Sequence, residues 1–167
     1  MMERLGFCQE WIGLIMKCVS TVRYQIKVNG SLTEHFVPTR GLRQGDPLSP
    51  YLFVICAEAL SALLQDAERR GRLGDVWVCQ GAPAITHLFF ADDSVLMIKA
   101  TREEATELKG ILDLYEDCSG QCINKEKSAI MFSANTPAEH KESVKRCVGI
   151  SSETWNEHYL GLLVYVG

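Results

Sequence analysis

The sequence predicts an α+β protein with a mainly antiparallel sheet packed on helices. Two observations lead to this fold class. First, segments with apolar residues at helical spacing are interspersed along the chain with short segments in which apolar and polar residues alternate, as in β-strands. Second, turn residues join neighbouring strand-like segments into local hairpins. The chain has 167 residues, 47% of them hydrophobic and 23% charged. These values fit one globular domain with a hydrophobic core.

The N-terminal third is predicted to contain a helix, a hairpin and an irregular loop. Apolar residues at helical spacing predict a helix over residues 2–20. An Asn-Gly dipeptide, which favours positive φ angles, predicts the turn of a hairpin over residues 22–37. Glycines and a proline make regular structure improbable over residues 40–47.

A second helix and a second hairpin are predicted next. Ser49 is expected to be the N-cap of a helix that carries a broad apolar stripe and stops at Gly71. We expect this helix to be the best-buried one in the protein. A connector follows, and apolar, β-prone runs then predict a hairpin over residues 84–99.

The C-terminal part is predicted to alternate between helices and strands. Thr101 and Glu104 form a capping-box pattern at the start of a third helix, which ends at Gly120 and turns an apolar face that includes Cys118 to the core. Three further elements follow this helix in the predicted order. They are a strand over residues 128–133, a helix that starts with a capping signature at Thr136 and runs to about residue 148, and a strand over residues 159–166.

Two adjacent carboxylates, Asp92 and Asp93, lie between the apolar runs 85–90 and 95–98. This arrangement predicts acidic oxygens at the tip of a hairpin, where they could ligate a hard divalent cation. Aspartate pairs are also ordinary turn residues, so a plain turn remains the alternative.

Composition limits the classes of function. The formal net charge of −4 argues against strong autonomous binding of nucleic acid, although not against a role as part of a larger binder. Seven scattered cysteines without a zinc-ligand pattern indicate reduced thiols. We see no signal peptide and no apolar run that approaches the roughly 18 residues of a membrane helix, so we expect no membrane association.

Two segments carry a resemblance to a known family. Residues 40–53 read RGLRQGDPLSPYLF, and residues 90–93 read FADD. In this order and spacing they resemble the reverse transcriptase domain of non-LTR (LINE-type) retrotransposons, and the first segment is most similar to the plant elements. Further similar motifs at residues 119–128 and 159–161 extend the resemblance over nearly the whole chain.

The resemblance implies a polymerase palm with catalytic magnesium ions. Asp92 would ligate the ions and Asp93 would support the site, so both are candidate catalytic and metal-binding residues. The resemblance also implies a loop that packs against the template and the nascent base pair. It further implies a lysine near the incoming triphosphate. The candidate residues for these contacts are Arg43, Gln44, Gly45, Lys125 and Lys127.

Two-metal nucleotidyl transfer needs carboxylates from more than one strand. Adjacent strand residues point to opposite faces, so Asp92 and Asp93 cannot easily both face the ions. In the family the further aspartate lies on a strand upstream of the opening helix. We therefore expect residues 1–167 to be a partial palm that lacks the fingers, the first catalytic aspartate strand and the thumb, and that is inactive alone. An exposed sheet edge would then favour self-association.

By the same resemblance, the partners of the full-length family are an RNA template, a DNA primer and deoxynucleoside triphosphates, with action in the nucleus. Weak binding is expected for this chain. One alternative is a non-enzymatic remnant or interaction module of retroelement origin. A second alternative is the palm of an RNA-templated RNA polymerase, which the sequence of residues 40–53 disfavours.

Overall fold

The computed structural model describes residues 2–39, 41–77, 81–91 and 93–153, and the backbone of residues 158–159 and 162–163. The chain divides into two compact units, Met1–Cys56 and Ala57–Gly167. The helices and strands, in chain order, are α1 (Gln9–Ser20), β1 (Lys27–Val28), β2 (Ser31–Leu32), α2 (Ser49–Arg69), β3 (His87–Phe90), β4 (Asp93–Leu96), α3 (Arg102–Ser119), α4 (Ala138–Val148), β5 (His158–Tyr159) and β6 (Leu162–Leu163).

In the first unit, the opening helix is shorter than predicted. Helix α1 begins at Gln9, because Gly6 has a φ of 85° and ends a separate hydrogen-bonded turn. The predicted Asn-Gly turn is confirmed: Asn29 and Gly30 have φ angles of 49° and 87°, between the paired strands β1 and β2. The strands themselves are shorter than the 22–37 prediction, with one further bridge between Tyr24 and Phe36.

Helix α2 runs from the first unit into the second. It ends before Gly71, whose φ of 68° stops the helix as predicted. The predicted cap at its start is wrong, because the Ser49 hydroxyl donates a hydrogen bond to the Arg43 carbonyl at 2.7 Å. Instead, the Asp46 carboxylate accepts the backbone N–H of Leu48 at 2.9 Å.

By length and composition alone, α2 could cross a membrane, because it has 21 residues and its most apolar stretch has a mean hydropathy of 1.2. This corrects the prediction that no apolar run approaches that length. One such helix is weak evidence for a membrane segment, because core helices of soluble proteins pass the same test. In α2, 17% of the apolar stretch is buried, and Leu60, Leu64 and Ala67 are among the buried residues of the helix.

The main core of the second unit lies between α2 and α3. Helix α3 contributes more buried residues than α2, so the expectation that α2 is the best-buried helix is wrong. Phe89 and Leu96, from the inner face of the β3–β4 hairpin, pack against this core and hold the hairpin in place. The buried cluster comprises Leu60, Leu64, Ala67, Leu73, Leu108, Ile111, Leu112 and Tyr115.

The boundaries of α3 match the prediction. The Thr101 hydroxyl accepts the backbone N–H of Glu104 at 3.3 Å, and Gly120 ends the helix in the left-handed region with a φ of 71°. Glu104 does not return the bond to Thr101 as in a full capping box. Its buried carboxylate accepts the backbone N–H of Gly74 at 3.1 Å and that of Lys99 at 2.8 Å. Cys118, placed on the buried face by its spacing, is exposed.

Several predictions for the C-terminal part are wrong in detail. Residues 128–133 form no strand; Ile130 makes an isolated parallel bridge with Glu153, and Phe132 packs in a second core cluster with α4. The N-cap of α4 is Pro137, without a side-chain cap from Thr136. The predicted strand over 159–166 is instead the short antiparallel pair β5–β6, and residues 160–161 and 164–167 lie outside the described residues.

The described residues thus form an α+β fold, as predicted. Their named strands make three separate two-stranded antiparallel sheets, β1–β2, β3–β4 and β5–β6, and not the single larger sheet expected from the sequence. The helices of the second unit supply its core, and the β3–β4 hairpin lies on that core.

Candidate functional site

The β3–β4 hairpin carries the acidic pair predicted from the sequence. The strands pair in register from His87 opposite Leu96 to Phe90 opposite Asp93. Asp93 is exposed at the start of β4. Asp92 lies outside the described residues, so the structure places one member of the predicted pair.

Ala91, at the turn of this hairpin, has a φ of 48°. Positive φ is uncommon for residues other than glycine, because the Cβ atom crowds the backbone. Tight hairpin turns require a positive φ at their first residue, and Phe90 pairs directly with Asp93, so the turn itself accounts for this angle. The backbone at Ala91 therefore places Asp93 at the tip of a tight hairpin.

The inner face of the hairpin is attached to α2 through His87. Its Nε2 lies 2.8 Å from the Ser61 hydroxyl, and its Nδ1 lies 2.9 Å from the Thr86 hydroxyl. Burial lowers the pKa of His87, and the charges of Glu68 and Glu58 partly oppose this. Ser61 and His87 lie 26 residues apart in the sequence, so no local pattern could have indicated this hydrogen bond.

Carboxylate oxygens are suitable ligands for magnesium. Within the described ranges, however, no group of three His, Cys, Asp or Glu side chains is arranged to hold a metal ion. Asp93 alone does not make such a site. The residues that the structure describes therefore do not form a complete magnesium site.

The predicted template loop belongs to the first unit. Gln44 and Gly45 are exposed, and Gly45 adopts a φ of 81°. The Arg43 carbonyl accepts the Asp46 backbone N–H at 3.2 Å as well as the Ser49 hydroxyl, so a turn joins this loop to the start of α2. The side chains of Arg43 and Gln44 are thereby presented to solvent.

The two candidate lysines have different surroundings. A turn orders their backbone: the Asn124 side chain accepts the N–H groups of Glu126 and Lys127, each at 3.2 Å. The Lys125 ammonium lies beside Gly149, 3.3 Å from the position that a Cβ atom would occupy there. Gly149 caps the C-terminus of α4, where a positive charge is favourable. Lys127 is exposed.

Comparison with known proteins decides the family. Residues 2–164 match the family described as reverse transcriptase (RNA-dependent DNA polymerase). The chain belongs to this family. The resemblance inferred from its motifs is therefore confirmed, and the match covers nearly the full length of the chain.

Relatives of the chain include retrotransposon proteins. It is 31% identical over 128 residues to the retrovirus-related Pol polyprotein of the type-1 retrotransposable element R2 from Popillia japonica, covering 76% of this chain and 17% of the relative. It is 52% identical over 67 residues to an uncharacterized mitochondrial protein of Arabidopsis thaliana, covering 40% and 55%. It is 26% identical over 163 residues to the transposon TX1 uncharacterized 149 kDa protein of Xenopus laevis, covering 96% and 12%.

The chain thus spans about half of the Arabidopsis protein and less than a fifth of the other two relatives. Two of the three are proteins of transposable elements by name, which agrees with a retrotransposon reverse transcriptase.

Proposed function

We propose that this chain is part of the palm of a retroelement RNA-directed DNA polymerase, and that the β3–β4 turn is its acidic corner. The observation that carries the proposal is the exposed Asp93 beside the tight turn at Ala91, on a hairpin anchored to the core by Phe89 and Leu96, in a chain of the reverse transcriptase family. Family membership supplies the reaction class, RNA-templated synthesis of DNA.

Asp92 and Asp93 would supply one side of a magnesium site in this proposal. Bound magnesium ions would activate the primer hydroxyl and stabilise the leaving phosphates. Two such ions need carboxylates from more than one backbone segment, and the described residues offer no group of three ligands. We therefore propose that the chain alone does not support polymerisation and that another polypeptide segment completes the site.

The Arg43–Gln44–Gly45 loop would contact the template strand, and Lys127 the incoming triphosphate. The exposure of these residues supports both assignments, because Arg43, Gln44 and Gly45 in the first unit and Lys127 in the second are accessible to a ligand. Lys127 is preferred to Lys125 because the Lys125 ammonium already lies at the C-terminal end of α4.

The lysine assignment can be tested by nucleotide binding. Binding of a deoxynucleoside triphosphate to the chain, in the presence of an RNA–DNA template-primer, is measured by saturation-transfer NMR. Lys127→Ala is expected to weaken this binding, because an ion pair with phosphate is lost. Lys125→Ala is the matched control: it should leave binding unchanged and lower stability slightly, by about 0.3–1 kcal/mol, since a charge at a helix C-terminus is removed. Equal binding by the two variants, or a larger effect of Lys125→Ala, contradicts the assignment.

The catalytic part of the proposal is tested by primer extension. The purified chain is incubated with magnesium, deoxynucleoside triphosphates and an RNA template annealed to a DNA primer. We expect no extension by the wild-type chain. Extension that is lost in Asp92→Asn would contradict the claim that a further segment is needed. Extension that survives Asp92→Asn would indicate a contaminating polymerase, and that preparation would be repurified before scoring.

A further inference from the structure

The loop that follows α3 and carries the candidate triphosphate lysine is attached to that helix at several points. The Ser119 hydroxyl accepts the backbone N–H of Gln121 at 3.1 Å, and the Tyr115 hydroxyl donates to Gln121 Oε1 at 2.8 Å. The next attachment is at Ile123, whose backbone N–H donates to Glu116 Oε1 at 2.6 Å. The side chain of Ile123 packs against the main core of the second unit. Side chains of α3 therefore hold the first part of this loop.

The hydrogen bond from Ile123 to Glu116 comes directly before the turn that orders Lys127. The Asn124 side chain accepts the N–H of Lys127 at 3.2 Å, and the Asn124 carbonyl accepts the same N–H at 3.1 Å. The Asn124 carbonyl also accepts the Ser128 hydroxyl at 2.8 Å. The turn that fixes the backbone of Lys127 therefore begins one residue after the attachment to Glu116. If the N–H of Ile123 is released, this turn loses its fixed starting point.

The position of Glu116 in α3 is electrostatically unfavourable for the helix. The backbone N–H of the C-cap Gly120 donates to the Glu116 carbonyl, so Glu116 lies in the last turn. A negative charge there meets the negative end of the helix dipole, and α3 has no basic residue in this turn. A carboxylate nevertheless accepts a backbone N–H more strongly than a neutral oxygen does. The charge of Glu116 therefore stabilises the loop and not the helix that carries it.

We propose that Glu116 is a positioning residue for Lys127. Through the N–H of Ile123 it holds the loop in the conformation that presents the Lys127 ammonium to the triphosphate of an incoming nucleotide. The inference rests on the proposed function, because it takes Lys127 as the triphosphate contact, and it extends that function to a residue outside the motif at residues 119–128. Its physical basis is preorganisation, since a loop that is already ordered loses less conformational entropy when the ligand binds.

The first measurement is the order of the loop in the free chain, followed by amide exchange and backbone relaxation in NMR. Glu116→Ala removes the acceptor, so the amides of Ile123 and Lys127 should exchange faster and become more mobile, while the core amide of Leu108 keeps its protection. Glu116→Gln keeps an oxygen that can accept the N–H, so it should retain the order of the wild type. Asp117→Ala is the matched control, because Asp117 is an exposed acid in the same helical turn.

The second measurement is the binding of a deoxynucleoside triphosphate in the presence of an RNA–DNA template-primer, followed by saturation-transfer NMR. Glu116→Ala should weaken this binding about two- to tenfold, because the loop must then be ordered as the ligand binds. Glu116→Gln should restore it. In a Lys127→Ala background, Glu116→Ala should cause no further loss, because residues that act through one contact are not additive. Glu116→Met replaces Glu116→Ala if the latter loses helix content by circular dichroism.

Failure of this inference can be told apart from failure of the proposed function. The inference fails alone if Lys127→Ala weakens nucleotide binding while Glu116→Ala leaves either the binding or the order of the Lys127 amide unchanged. It also fails alone if Asp117→Ala loosens the loop as much as Glu116→Ala does, or if the double variant binds more weakly than Lys127→Ala. If the wild type gives no nucleotide signal, or Lys127→Ala binds as the wild type does, the lysine assignment of the proposed function fails and this inference fails with it.

Discussion

Removal of the Glu104 carboxylate is expected to destabilise the second unit strongly. Glu104 is 9% exposed, and its oxygens accept the backbone N–H groups of Gly74 and Lys99. A hydrogen bond to a charged group contributes about 1.5–3 kcal/mol. Water can partly replace the carboxylate at Lys99, which is exposed, so we expect Glu104→Ala to lower the free energy of unfolding by about 2–4 kcal/mol.

The assay is urea unfolding followed by circular dichroism, with amide exchange at Gly74 and Lys99 measured by NMR. Glu103→Ala is the matched control, because Glu103 is the exposed neighbour in the same helical turn. Loss of its favourable charge near the helix N-terminus should cost less than about 1 kcal/mol. Equal destabilisation by the two variants, or unchanged exchange at Gly74 and Lys99 in Glu104→Ala, would refute the reasoning.

Three further predictions concern packing and pH, each measured by urea unfolding. Leu64→Ala should cost about 3–5 kcal/mol because Leu64 is fully buried, whereas Leu114→Ala, at an exposed site, should cost less than about 1 kcal/mol; equal costs would contradict the core assignment. Burial lowers the pKa of His87 below its usual 6.5, because the folded protein favours the neutral imidazole. The stabilisation from neutral His87 should therefore be complete above pH 6.5 and be lost as the pH falls through the lowered pKa of the folded state. His87→Gln should remove this pH dependence of the free energy of unfolding. Hydrogen bonds from Lys145 and Lys141 lower the pKa of Glu153 from 4.5, so Glu153→Gln should be less stable than wild type near neutral pH, with a difference that shrinks as the pH falls below 4.5. If the difference in unfolding free energy between wild type and His87→Gln, or between wild type and Glu153→Gln, does not change with pH, the assigned surroundings of that residue are contradicted.

Features of the fold that depend on neighbouring residues could be predicted from the sequence. The Asn29–Gly30 turn and the ends of α3 at Thr101 and Gly120 follow from local backbone preferences, and the structure has all of them. The backbone angles that these residues favour do not depend on distant contacts.

Features that depend on distant contacts were predicted less well. The apolar run 128–133 has strand-like residues, but its main-chain pairing is limited to a bridge from Ile130 to Glu153. Phe132 instead packs beside α4, which a local pattern cannot indicate. Glu104 satisfied the capping-box spacing, yet its carboxylate binds Gly74, thirty residues away in sequence.

The candidate site shows the same limit. Lys125 and Lys127 are nearly equivalent in the sequence, and the motif does not choose between them. The structure separates them because the C-terminus of α4, at Gly149, folds back beside Lys125. The hydrogen bond between Ser61 and His87, which attaches the hairpin to α2, likewise arises only when the two segments meet.

The central claim, that the β3–β4 turn is a metal-binding acidic corner, is tested most directly by NMR with manganese. Mn²⁺ is a paramagnetic ion that occupies the same oxygen-ligand sites as magnesium. On titration into the labelled chain, the amide signals of Phe90, Ala91 and Asp93 should broaden first, and Asp92→Asn should abolish this selectivity, whereas Asp113→Asn should not. Broadening that begins elsewhere, or that is the same in Asp92→Asn, would contradict the claim.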